Sequence, residues 1–143
     1  MGGVFPPLCL THNRMPKFST KSTKILNSCD EDLIAIFNEA IRYIDFSAIE
    51  GHRTVKRQKQ LKAAGLSKTM SSKHLQMPSK AIDIAPYPIN FDDRERIVYF
   101  AGIIKGIAFS KGIPLTWGGD WNNDTEVYDN QFDDLLHFEL NYE

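Results

Sequence analysis

Apolar residues recur at helical spacing in two stretches of the chain and cluster over strand length in four others. Leu33, Phe37, Ala40, Ile41 and Ile44 return every three or four residues behind Ser28 and Glu31, a Ser-x-x-Glu capping box, which predicts a helix over about 30–45. Ile97, Phe100, Ala101, Ile104 and Ala108 predict a longer helix over 92–111, closed by Gly112, in which Gly102 and Gly106 are expected to permit close packing. Between these two, Thr54 can cap a further helix that runs to Ala64 and stops at Gly65. Phe46 to Ile49, Ala81 to Ile84, Leu115 to Trp117 and Leu136 to Leu140 read as strands, and Pro86 and Pro88 end the second of them. Leu66 to Lys80, rich in Ser, Lys and Thr, reads as a loop. Helices and strands mix without a regular βαβ alternation. The expected fold is therefore α+β, a single small domain with a mainly antiparallel sheet flanked by helices.

Composition narrows this picture. A chain of 143 residues fits one domain, able to bury about two thirds of its unfolded surface. Gly2, Gly3, Pro6, Pro7 and Pro16 mark residues 1–17 as a flexible arm, which leaves 18–143 for the domain. Met15 directly precedes what looks like the domain start, so the first fourteen residues could be an upstream extension. With 17 basic and 18 acidic residues, the formal charge of −1 offers no global field for nucleic acid or anionic lipid, and binding must come from a local site. The N-terminus lacks the basic and apolar regions of a secretory signal, and no apolar run reaches membrane-spanning length, so cytoplasmic synthesis without stable membrane association is expected. Cys9 and Cys29 have no metal-binding spacing and read as free thiols. A monomer is expected.

Three segments carry candidate chemistry: Ser72-Lys73-His74, Ala81-Ile82-Asp83, and Asp134 through Glu139 with His137 between them. Two imidazoles and a carboxylate, from His74, His137 and Asp83, would give Zn2+ three protein ligands and leave a fourth position for water. Zinc lowers the pKa of such a water from about 15.7 to about 7, which is what hydrolysis at neutral pH requires. A nearby carboxylate must take its proton. Asp134, three residues before His137, is assigned as that base and later as the acid toward the leaving amine. Glu139 competes for the role, because it shares a strand face with His137, or else it orients that imidazole from behind.

Ser72, His74, Ala81, Asp83, Asp134 and His137 resemble, in type and order, the S-x-H-x-x-G-x-A-x-D and acid-x-x-His elements of the VanY-like zinc peptidases. That group comprises D-alanyl-D-alanine carboxypeptidases and L-alanyl-D-glutamate endopeptidases, and the likeness runs from about Phe18 to Leu140. Glu50-Gly51-His52-Arg53-Thr54 with Gln58, and Trp117-Gly118-Gly119-Asp120-Trp121, are similar to segments of the phage endolysins in it. The resemblance implies a Hedgehog/DD-peptidase-like fold and zinc-dependent hydrolysis of a peptide bond in the peptidoglycan stem peptide. It favours L-alanyl-D-glutamate endopeptidase of phage lytic type, acting on the cell wall after release. A D-alanyl-D-alanine carboxypeptidase and a non-catalytic, zinc-containing module that binds wall peptide are the alternatives. It further implies that Arg53 binds the substrate carbonyl or carboxylate, supported by Ser72 and Gln58. One departure stands out: the spacing between His74 and Asp83 is two residues longer than the family pattern, and Ser79 replaces its glycine. The metal geometry is expected to survive and the loop rim to differ.

Other readings stay open at this level. Trp117 and Trp121 could be pocket wall or core, with Trp121 taken as substrate-binding. Asp120 could bind substrate or simply hold a turn. Gln58 could be a solvated helix residue, and His52 has no assigned duty. Lys56, Arg57, Lys59 and Lys62 read as the wet face of a helix.

Overall fold

In the computed structural model, which describes residues 16–142, the first element is a helix that the apolar pattern did not predict. This is α1 (Thr20–Asn27), capped by Ser19, whose hydroxyl accepts from the Ser22 N–H at 3.1 Å. Ser22 and Leu26 are its buried residues, too few to leave a periodic signal. The arm expected over 1–17 lies, apart from Pro16 and Lys17, outside the described residues, as does Cys9. Cys29 is a buried free thiol.

The end of α1 overturns the expected capping box. Ser28 closes that helix, its hydroxyl donating to the Ile25 carbonyl at 2.6 Å, so it cannot open the next one. Asp30 does so instead, accepting from the Asp32 N–H at 2.9 Å at the start of α2 (Glu31–Ala40). This helix stops short of residue 45, because the N–H groups of Arg42 and Tyr43 bond three residues back and tighten the chain into turns.

There follow β1 (Phe46–Glu50), α3 (Val55–Ala63) capped by Thr54, a short 3₁₀ turn (Lys73–Leu75), β2 (Ala81–Pro86), α4 (Arg94–Lys111), β3 (Leu115–Gly118) and β4 (Asp134–Leu140). The 3₁₀ turn falls in the predicted loop. The last strand begins two residues before Leu136. Gly112 closes α4 at a φ of 66°, as a left-handed cap requires. The close-packing role expected of Gly102 and Gly106 is corrected: both are exposed, and a Cβ on either would meet nothing within 4 Å.

All three strand pairings are antiparallel, in the order β1-β2-β4-β3. Ile82, Ile84, Phe138 and Leu140 join the core formed with Leu33 and Phe37 of α2 and Phe100 and Ile104 of α4. Phe37 and Phe100 both meet Phe138 edge to face, at 5.8 and 6.2 Å. By the two-residue period, the strand residues next to these core positions, Asp83 in β2 and His137 and Glu139 in β4, turn to the opposite face. Burial of one face thus commits the other to chemistry.

Candidate metal centre and active site

The β2–β4 register sets Asp83 directly opposite His137. Their side chains meet, with Asp83 Oδ1 3.2 Å from His137 Nδ1. From the 3₁₀ turn, His74 brings its Nε2 to 3.3 Å from His137 Nδ1 and 3.4 Å from Asp83 Oδ1. Both imidazoles are buried, and the three donor atoms all lie within 4.8 Å of one another. His74 Nδ1 stands 2.7 Å from the Gly51 carbonyl, which can only accept, so Nδ1 holds the proton and Nε2 presents a lone pair. On the far side of His137, Nε2 faces Glu139 Oε1 at 3.7 Å, so Nδ1 is the ring nitrogen turned toward the cluster, and it offers a second lone pair once it gives up its proton. Two lone pairs and a carboxylate converging at these distances repel unless a cation or proton sits among them. The donor set is the one a borderline divalent ion such as zinc prefers.

The position of His74 is set by its neighbours. Ser72 accepts from the His74 N–H at 3.2 Å, and the Arg53 N–H donates to the His74 carbonyl at 2.7 Å. Gly51 must be glycine here, since a Cβ would lie 2.5 Å from Ser28 Oγ and 2.7 Å from the Ile25 carbonyl oxygen. We expect Gly51→Ala to cost about 1–3 kcal/mol by overpacking and to weaken metal binding by moving the carbonyl that orients His74. Denaturant unfolding and metal titration of the variant would check both, and an unchanged midpoint with unchanged affinity would refute it. The longer loop before Asp83 is pinned by Ser79, which is fully buried, donates from its N–H to the Ser28 carbonyl at 2.9 Å and accepts from the Asp30 N–H at 2.8 Å.

A bulge in β1 brings in the next group. Up to Ala48 the strand pairs regularly with β2, but Glu50 stands opposite Asp83, where an unbroken register would set it against Ile82 on the core face. The extra residue therefore turns Glu50 toward the site. There its carboxylate accepts from Arg53 Nε at 3.0 Å and Nη2 at 2.6 Å. Gln58 Oε1 accepts from Arg53 Nη1 at 2.7 Å, and Nη2 lies 3.8 Å from Asp83 Oδ2. Burial disfavours the Arg53 charge, but Glu50 outweighs it and the guanidinium stays protonated. Gln58 is fully buried, which corrects the solvated-helix reading.

The two candidate bases occupy different surroundings. Gly118 pairs with Asp134, although the regular register would set it against His137, so β4 carries an irregularity that frees Asp134 from strict alternation. A Cβ on Gly118 would lie 2.1 Å from the Asp134 carbonyl oxygen, which explains the glycine. Asp134 is exposed as a residue, yet loss of hydration around its carboxyl, and then the Asp83 charge, raise its pKa above the ordinary value. Glu139 behaves oppositely: burial works against its charge, but His137 and Lys73, whose Nζ is 3.0 Å from Oε2, outweigh this and lower its pKa.

Trp121 walls the site, its ring centroid 5.6 Å from that of His137 and 5.2 Å from Phe132. Trp117 is core, with its Nε1 donating to the Leu135 carbonyl at 2.7 Å. Asp120 spends both carboxylate oxygens on its own loop, accepting from the N–H groups of Asp124 and Thr125, so the structure places it as a turn residue and not in the cluster.

The family model for phage L-alanyl-D-glutamate peptidases matches residues 15–141. The chain belongs to that family. No curated protein matches it. Among solved structures, a crystal structure of the Serratia marcescens L-Ala D-Glu endopeptidase ChiX is similar, with 27% identity, a TM-score of 0.72, and coverage of 92% of this chain and 95% of that one.

In this phage-peptidase domain, three residues of the site were assigned no role from the sequence. Glu50 and Gly51 lie inside the segment that carried part of the resemblance, but only the bulge and the Gly51 carbonyl disclose what they do. Lys73, between Ser72 and His74, pairs with Glu139 and donates to the Leu140 carbonyl, a contact with a strand far along the chain.

Proposed function

We propose that this chain is a zinc peptidase that hydrolyses the L-alanyl-D-glutamate bond of the peptidoglycan stem peptide. The observation that carries the reading is the convergence of His74, Asp83 and His137 on one point of a domain belonging to the phage L-alanyl-D-glutamate peptidases. When bound, zinc supplies Lewis acidity and lowers the pKa of a water from about 15.7 to about 7. Asp134 takes at its carboxylate the proton that the attacking water loses and returns it to the departing D-glutamate nitrogen. Its raised pKa, to which lost hydration and the Asp83 charge contribute, and the electrostatic influence that His137, His74 and Arg53 exert on it support this role. Arg53, held rigid by Glu50 and Gln58, still has unused N–H groups on Nη1 and Nη2 with which to hold a substrate oxygen and balance its developing charge. Trp121 shields the cluster from bulk water on one side, and Glu139 with Lys73 braces His137 on the other. No helix among the described residues is long and apolar enough to cross a membrane. Membership of the phage L-alanyl-D-glutamate peptidases supports action on the cell wall, in phage lysis.

Digestion of purified peptidoglycan with the zinc-loaded protein, followed by mass spectrometry of the new termini, tests the reading. L-alanine carboxyl ends and D-glutamate amino ends are expected. Release of free D-alanine instead would make the chain a carboxypeptidase.

A further inference from the structure

A single lysine at the mouth of the site stands apart from the cations around it. Arg53 is matched by Glu50 and Lys73 by Glu139, while Asp83 and Asp134 add further negative charge to the pocket. Lys68 has no acidic partner among the described residues. Its Nζ lies 5.1 Å from the centroid of the Phe132 ring. Phe132 packs on Trp121, and Trp121 on His137, so a continuous line of rings joins this ammonium to a metal ligand.

The loop that carries Lys68 is also tied to the site from beneath. Gln58 Nε2 donates to Ser67 Oγ at 2.8 Å and to the Thr69 carbonyl, the residues on either side of Lys68. The same buried amide accepts from Arg53 through its oxygen. One side chain thus sets both Arg53 inside the pocket and Lys68 at its rim.

We propose that Lys68 is a specificity residue that binds a free carboxylate of the stem peptide close to the scissile bond. This rests on the endopeptidase reading above. A glutamate that follows the cut bond carries two carboxyl groups, and onward linkage consumes at most one. A free carboxylate therefore comes to the edge of the pocket in need of a partner, and the ammonium of Lys68, which no acidic side chain among the described residues engages, supplies one. The carboxylate belongs either to the glutamate or to the residue beyond it. Since Lys68 lies outside the reacting centre, it acts on substrate binding more than on turnover.

The test is steady-state kinetics of the zinc-loaded protein on a soluble stem peptide and two analogues, one with the free glutamate carboxyl amidated and one with the next residue's carboxyl amidated. Lys68→Gln is expected to raise KM about three- to tenfold with little change in kcat, as befits one partly exposed charge contact. The unaltered protein should lose a similar factor on one of the two analogues, which identifies the carboxylate. Lys68→Gln should be indifferent to that amidation, Lys68→Arg should keep the preference, and Lys59→Gln on the exposed face of α3 should match the unaltered protein. Equal discrimination by Lys68→Gln and the unaltered protein would overturn the role of Lys68 alone. Failure of the unaltered protein to cut the parent peptide would overturn the endopeptidase reading, and this one with it.

Discussion

Alanine in place of His74 or His137 is expected to reduce bound zinc from about one ion per chain to a trace, and peptidoglycan hydrolysis to background with it. Each change removes one of three donor atoms and leaves the Asp83 carboxylate with one imidazole in place of two. Zinc binding should also depend on pH. Burial opposes the charged form of His137, but Asp83 and Glu139 more than offset it and push its pKa up to about 9. Only the neutral imidazole can ligate, so below pH 9 an incoming ion must displace this proton. Zinc affinity should therefore fall by about tenfold for each pH unit below that point, and binding at pH 7 should release a proton. Calorimetry in two buffers of different ionisation enthalpy measures the release, and metal analysis of the purified variants measures the loss. Zinc content unchanged in both alanine variants would place the metal elsewhere.

Asp134→Asn should retain fold and zinc while losing about two or more orders of magnitude in kcat, because shape is kept and basicity is removed. The two acids near His137 are distinguishable on this point. Asp134 is held above the ordinary carboxyl range by lost hydration and by Asp83, so it is the readier proton acceptor. Glu139 is held below that range and is committed to His137 and Lys73, so Glu139→Gln should act mainly through the metal, weakening zinc by about 10- to 100-fold. Single-turnover assays at saturating zinc separate the two effects. An active Asp134→Asn beside an inert, fully loaded Glu139→Gln would transfer the role of base to Glu139.

Legibility along the chain followed the range of the interactions involved. Helix α4 and its Gly112 cap were readable because a 3.6-residue apolar period and a left-handed glycine are local properties. Helix α1 was not, since it buries only Ser22 and Leu26 and owes its place to contacts with β1. Ser28 misled for a related reason. A Ser-x-x-Glu pattern fits a cap, but the same hydroxyl was already engaged with Ile25 and His52, a competition that appears only when two helices meet.

For the site, the sequence by itself determined the inventory: two histidines and an aspartate in a recognisable order, an acid three residues before the last histidine, and an arginine in a characteristic segment. Residue type and spacing suffice for that, because ligand chemistry belongs to the side chains. Tertiary structure alone decided how they meet. The β2–β4 register sets Asp83 against His137, and the bulge in β1 turns Glu50 from the core face to Arg53. The irregularity in β4 frees Asp134 from the parity that would have aimed it at the core. A strand's side chains alternate with a period of two, so one inserted residue reverses every face beyond it, and only the partner strand shows where that residue was placed.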